Sequence, residues 1–539
     1  MKRSPFGKPK FGAIRALRLM GIAALASTTV QPLHGQTVQT RSAGADPASM
    51  RPLTHVGPWL VDSVGRVVQL HGLTLYKKKP PFLDEVSDSD LDYVTREGFN
   101  AFRINWIWEA AEPSPGHFED GHFDQVVALN DQMAKYGIRT LIGSANNSFS
   151  SKFGGFGAPL WASVNRQYCT KPDEQRICLK NIQDRYLGLD GEYEAWDNFY
   201  DNAPAPDGVG VLTHFTRTWQ RLAGRLKDKN NVFALDLFHE PAPGLRYVRK
   251  GERRFFSEPA TFERDGLPPF YKTVADGVRH SAPNPSIYFQ ISNYWTLENT
   301  AKAGIHVPPH FSNDPNLGLS FHFGPSDLGG VSNNDFVEKL GQTMSTASNY
   351  ARRADVALVV TGYRLAKNEE QYAILTDLLG SRFIPWFFYT YKGMPDPGAE
   401  NTSLLIDPSL PASDANVKSA RFDSMVVPYP QLVAGTPKSW SFDRSTKVVR
   451  FGYSTKPVGK RRPCAGADTE IFVPARHYPQ GYTAEVTGGK VVSSPTSAWL
   501  VIQQARGARE VGVTIRPSSG SFTERPAVAT GPSADVSCR

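Results

Sequence analysis

From residue 88 to residue 389 the chain repeats one alternation, an amphipathic run followed by a short, unbroken apolar run. Asp88 to Glu97 has helical spacing and leads into Ala101-Phe-Arg-Ile-Asn-Trp106. The same couple recurs as Phe123 to Tyr136 with Arg139-Thr-Leu-Ile-Gly143, as Leu212 to Lys227 with Val232 to Phe238, and as Pro268 to His280 with Ser286 to Ile291. Further apolar runs are Leu317 to His322, Val356 to Thr361 and Ile384 to Tyr389, and Val67 to Thr74 precedes them all. Strands that are apolar at successive positions are buried on both faces, so the pattern predicts a parallel sheet covered by helices. Eight such strands favour a closed (β/α)8 barrel. An open doubly wound sheet is the other arrangement with this pattern, but no Gly-rich phosphate loop follows the first strand.

After about residue 420 helical spacing stops. Val448 to Tyr453, Thr469 to Val473, Tyr482 to Val486, Ala498 to Ile502 and Glu510 to Ile515 alternate, punctuated by Gly, Pro and Ser. They predict a small antiparallel β-sandwich. The fold class is therefore α/β, a (β/α)8 barrel followed by a C-terminal antiparallel sandwich. The organisation read from these shifts is 1–35 signal peptide, 36–54 flexible leader, 55–420 barrel, 421–518 sandwich and 519–539 polar tail. At 539 residues more than one core is expected in any case.

The formal net charge of +8 changes little. Six basic residues and no acidic one fall within residues 1–35, so the remainder carries +2, and no nucleic-acid partner is expected. The same 35 residues join a basic start to the apolar stretch Leu19 to Ala26, too short to span a bilayer. This reads as an export signal, cleaved after Ala24-Leu-Ala26 or near Gly35, with an uncleaved anchor as the alternative. The mature chain holds no other long apolar segment, so it is expected to be secreted or periplasmic, without a transmembrane segment, and monomeric. Four cysteines fit that compartment, most simply paired Cys169–Cys178 and Cys464–Cys538, with free buried thiols as the alternative. No CxxC or HxxxH spacing accompanies them, so neither a metal nor another cofactor is expected. Aromatics make up 11% of the chain, which suits stacking on sugar rings and equally suits a large core.

In a barrel of this kind the chemistry sits at the C-terminal ends of the strands. That rule selects Arg103, Asn146, Asn147, His239, Glu240, His322, Gly362 and Tyr389. Glu240 closes an apolar strand and precedes Pro241. Its half-desolvated setting favours the protonated form and suits a general acid. The alternative is structural, with Glu240 capping the next helix or pairing with Arg103.

Several segments resemble endoglycoceramidases of glycoside hydrolase family 5. They are His71-Gly-Leu-Thr-Leu-Tyr-Lys77, Gly98-Phe-Asn-Ala-Phe-Arg103 running on through Trp108-Glu-Ala-Ala-Glu-Pro113, Lys152 to Pro159 and Asp236-Leu-Phe-His-Glu-Pro241. In the sandwich, Val427 to Pro437 and Pro474 to Tyr482 extend the likeness, which runs from about residue 55 to 515. The resemblance implies cleavage between an oligosaccharide and ceramide with retention, by two carboxyl groups about 5 Å apart. It makes Glu240 the acid/base and puts the nucleophile at the end of the seventh strand, where this chain reads Thr361-Gly362-Tyr363-Arg364.

Other positions depart from the family pattern as well. His239 replaces the asparagine before the acid/base, Gly143-Ser-Ala-Asn-Asn147 replaces an Asp-x-His-Gln-Asp run, and His322-Phe-Gly324 loses a tyrosine. Tyr389 stands for the stacking tryptophan of the eighth strand, and Trp386 in that strand is a second candidate ring for sugar. Arg103, Glu240 and His322 survive. Glycine at 362 is expected to leave a carboxylate-sized hole opposite Glu240. Asp327 is the more reachable replacement base, since Tyr363 should face away from the site. Two functions follow: an exported glycosidase using Glu240 with another partner, or a non-catalytic relative that binds a glycan or glycolipid. A second carboxylate near Glu240 on the open face would discriminate them.

Overall fold

The computed structural model describes residues 50–165, 190–247, 259–293, 304–308, 311–323, 332–363, 368–393, 402–459, 467–494 and 497–518. Residues 1–35 and all four cysteines lie outside them, as do Gly324, Asp327 and Arg364.

The chain does not enter the barrel first. Strands β1 (Thr54–Val56), β2 (Trp59–Val61) and β3 (Val67–Val68) form an antiparallel ribbon. The ribbon turns at Gly57, whose φ of 54° lies in the left-handed region. The barrel then closes from β4 (His71–Leu75), β5 (Ala101–Ile107), β6 (Arg139–Ala145), β7 (Val232–Asp236), β8 (Ser286–Gln290), β9 (Leu317–Phe323), β10 (Ala357–Tyr363) and β11 (Trp386–Phe388). Neighbours run parallel all the way round, with β11 hydrogen-bonded back to β4. The eight apolar runs are thus the eight staves.

Alternation along each stave assigns the layers. Leu141, Phe233, Tyr288, Val359 and Phe387 fill the barrel interior, while Leu73, Phe102, Ile142, Leu235 and Val360 pack outward under the helices. Helices are built for that outer layer. In Val211–Leu226, Leu212, Phe215, Trp219, Leu222 and Leu226 bury one stripe. Asp88–Arg96 starts on a capping box in which Ser87 and Asp90 satisfy each other's backbone donors. The 22-residue helix Asn333–Ala354 was not anticipated, because Gly341 and a series of Ser and Thr blur its apolar stripe.

The second unit comprises β12 (Tyr429–Val433), β13 (Thr436–Asp443), β14 (Val448–Ser454), β15 (Thr469–Phe472), β16 (Tyr482–Thr487), β17 (Gly489–Val491), β18 (Trp499–Gln504) and β19 (Glu510–Pro517). Its larger sheet has the order β1-β2-β3-β12-β15-β18-β17, and β13-β14-β19-β16 forms the facing sheet. The N-terminal ribbon therefore belongs to the sandwich, where Val67 and Val68 pair with Val433 and Leu432. No free linker separates the two parts: Tyr429 stacks on His71 with centroids 3.6 Å apart and donates its hydroxyl to the Gly98 carbonyl at 2.7 Å.

Candidate active site

The floor of the site is a buried ion pair. Arg103 projects inward from the middle of β5, and Asp236 ends β7; their side chains are 1% and 0% exposed. Gly143 lies in register with Asn105 on one side and Asp236 on the other. A Cβ at that glycine would fall 2.9 Å from Asn105 Oδ1 and 3.2 Å from Arg103 Nη2, so its lack of a side chain gives the guanidinium room. Arg103 Nη2 donates to Asp236 Oδ2 at 2.9 Å. Gln290 Nε2 donates to the same oxygen and Ser320 Oγ to Oδ1, both at 2.8 Å. Burial pushes the Asp236 carboxyl up, against the opposing pull of Arg103 and these donors.

From this floor a relay rises to the mouth. Arg103 Nη1 lies 3.4 Å from His322 Nε2, and His322 Nδ1 lies 3.1 Å from Glu240 Oε1. A guanidinium can only donate, so Nε2 accepts and Nδ1–H donates to Glu240. The structure thus places His322 between Arg103 and Glu240, so the direct pair weighed from the sequence does not form. The Glu240 peptide N–H donates to Gln290 Oε1 at 3.0 Å, so one glutamine fixes both the buried aspartate and the glutamate at the rim. Glu240 has φ of 45°, a left-handed conformation that costs a side-chain-bearing residue about 1 kcal/mol.

His239 is buried beside the relay, its ring centroid 4.4 Å from that of His322. Burial, reinforced by the neighbouring His322, holds its imidazole well below the usual histidine range, in the neutral form. Asn146 Nδ2 donates to the His239 carbonyl, while Asn146 Oδ1 and His239 Nδ1 are buried with no partner at hydrogen-bond geometry. Asn147 contributes through its backbone, exchanging two 2.9 Å hydrogen bonds with Phe156. Above lies an aromatic rim: Tyr76 meets Tyr389 edge-on at 5.1 Å and Phe156 at 5.5 Å, with the Lys78 ammonium over Tyr76 and Phe156.

Two expectations need correction. Trp386 is no sugar platform. On β11 it is Phe387 that enters the barrel interior, so Trp386 points to the opposite face, fully buried against His71 and Phe99. Nor does Gly362 face an open hole. A Cβ there would lie 3.3 Å from His322 Cδ2, so the imidazole already stands against that position. Asp236, Gln290 and Ser320 were missed as site residues. A charged residue within the apolar run Val232 to Phe238 was the available signal for the first.

A closed parallel barrel with a carboxylate and two histidines at the C-terminal ends of its staves and an arginine beneath them, joined to a β-sandwich, fits the glycosidase class of barrel proteins. The description "Cellulase (glycosyl hydrolase family 5)" matches residues 61–394, and "Glycoside hydrolase family 5 C-terminal domain" matches residues 428–516. The chain belongs to glycoside hydrolase family 5 and is endoglycoceramidase-like. It is 28% identical to endoglycoceramidase I of Rhodococcus hoagii (strain 103S) over 496 residues, covering 87% of this chain and 89% of that protein. To the endoglycoceramidase of Hydra vulgaris it is 24% identical over 510 residues, covering 88% and 90%. Endo-glycoceramidase II from Rhodococcus sp., solved as a ganglioside GM3 complex, shares the fold with a TM-score of 0.67 at 19% identity, covering 86% of this chain and 99% of that one.

Proposed function

We propose that this chain binds the saccharide part of a glycolipid or oligosaccharide at the barrel mouth and does not hydrolyse it by the two-carboxylate retaining route. One observation carries the reading. At the end of β10, where the resemblance puts the nucleophile, Gly362 offers no functional group and the His322 ring stands against it. Asp236, the carboxylate beneath the relay, cannot substitute, because it is fully buried and committed to Arg103, Gln290 and Ser320. Retention needs an accessible carboxylate that attacks the anomeric carbon and another that protonates the leaving oxygen. Among the described residues Glu240 supplies the second role alone; Asp327 lies outside them. Tyr389, only partly buried where it packs on the Tyr76–Phe156 cluster, supports sugar binding, because ring faces stack on apolar pyranose faces. The relatives' names, and the ganglioside in one structural neighbour, support a glycolipid as the ligand class. The basic and apolar run within residues 1–35 supports export.

A second reading keeps Glu240 as the acid/base of an altered hydrolysis. Its left-handed backbone favours this, since such strain persists where a side chain must be aimed. Calorimetric titration with ganglioside-derived oligosaccharides tests the binding proposal. Saturable binding that weakens in Tyr389→Ala is expected, and no heat with any headgroup sugar would count against it.

A further inference from the structure

Beyond sugar binding, we propose that His239, Glu240 and His322 form a site for a divalent transition metal of the zinc class at the barrel mouth. One donor atom from each lies within 4.8 Å of the other two. The pair already in contact, His322 Nδ1 and Glu240 Oε1 at 3.1 Å, is close to an edge of a tetrahedron around zinc. Bonds of about 2.0–2.2 Å put neighbouring ligand atoms about 3.3 Å apart. Two imidazoles and one carboxylate are a common donor set for such ions.

An independent observation points to a missing partner. His239 Nδ1 is buried with no partner at hydrogen-bond geometry, on a residue only 7% exposed whose imidazole otherwise reaches the Asn146 backbone. Buried polar atoms are ordinarily satisfied, and leaving one unmade costs about 1–3 kcal/mol. Asn146, which holds the His239 carbonyl through Nδ2, leaves its own Oδ1 buried and unpaired as well.

Charge and access are compatible with a dication. Arg103 is neutralised by Asp236 beneath it, and Glu240 brings one uncompensated negative charge to the cluster. Coordination through His322 Nδ1 moves the imidazole proton to Nε2. Arg103 Nη1, at 3.4 Å the longest link of the relay, must then withdraw, while Nη2 keeps its hold on Asp236. His322 and Glu240 are 11% and 14% exposed, so the ion would keep an open side for water or a sugar hydroxyl. The three ligands come from the ends of β7 and β9, two staves separated only by β8.

The test uses full-length, tag-free protein, treated with chelator and desalted, titrated with Zn2+ and Co2+ in the absence of sugar. Calorimetry should give one equivalent bound, and bound Co2+ should show the intense visible bands of a site with few ligands. His239→Ala and His322→Ala should each weaken affinity by about 100-fold or more, while His117→Ala, at an exposed surface histidine, should leave it unchanged. Zn2+ should raise the unfolding temperature of the unmutated protein, a readout that needs no variant to fold. Absence of saturable binding, or equal binding in both histidine variants, overturns the proposal. Neither result touches sugar binding, which is read separately by oligosaccharide titration of chelator-treated protein.

Discussion

Asp236→Asn isolates the charge beneath the relay. The amide keeps the shape of the carboxylate: its oxygen can take the donors from Gln290 and Arg103, and its NH2 can turn to Ser320 Oγ, which also accepts. What disappears is the negative charge opposite a guanidinium only 1% exposed, whose Nε has no partner and whose Nη1 makes only a 3.4 Å contact. Removing one member of a buried pair costs about 3–5 kcal/mol, and the near-isosteric amide places this case at the lower end, about 3 kcal/mol. Urea unfolding followed by circular dichroism should show that loss as a lower midpoint with an unchanged slope. Adding Arg103→Met removes the stranded charge, so the double variant should be more stable than Asp236→Asn alone. A single variant within about 1 kcal/mol of wild type, or strictly additive effects in the double, would refute the idea that Asp236 is what allows Arg103 to be buried.

Glu470 makes a buried pair with Arg66 at 3.0 Å, yet burial outweighs it and pushes the carboxyl up to about 7. A group with a raised folded pKa binds more protons folded than unfolded, so its contribution is fully present below about pH 4.5 and is lost as pH rises through about 7. The loss is roughly 3 kcal/mol, and Glu470→Gln should flatten that decline in unfolding midpoints measured across the range. Glu240→Gly should gain about 1 kcal/mol in urea unfolding by relieving the left-handed backbone, while weakening oligosaccharide binding. A loss of stability there would show that the hydrogen bond from His322 outweighs the strain.

The staves were legible because a strand buried on both faces leaves an unbroken apolar run, as in Val232 to Phe238. Their mouth was legible because chemistry in this architecture follows strand ends, which picked out Glu240 and His322, while Arg103 projects from mid-strand beneath them. What pairs over a long stretch of chain was not. Val68 and Leu432 carry no mark that they share a sheet. Spacing rules for metal ligands look within one helix or turn, whereas Glu240 and His322 are 82 residues apart in sequence and meet only through the barrel. The error at Trp386 has the same origin. A wholly apolar run such as Ile384 to Phe388 cannot say which alternate side chains face inward, and the burial of Phe387 in the interior decided it.

The central claim, sugar binding without retaining hydrolysis, is tested most directly by incubating chelator-treated wild type and Glu240→Gln with a ganglioside while following released oligosaccharide by mass spectrometry. The account predicts no release above the uncatalysed background from either protein, with saturable oligosaccharide binding by the wild type. Robust release by the wild type that disappears in Glu240→Gln would contradict it, and would show that a second catalytic group replaces what Gly362 lacks.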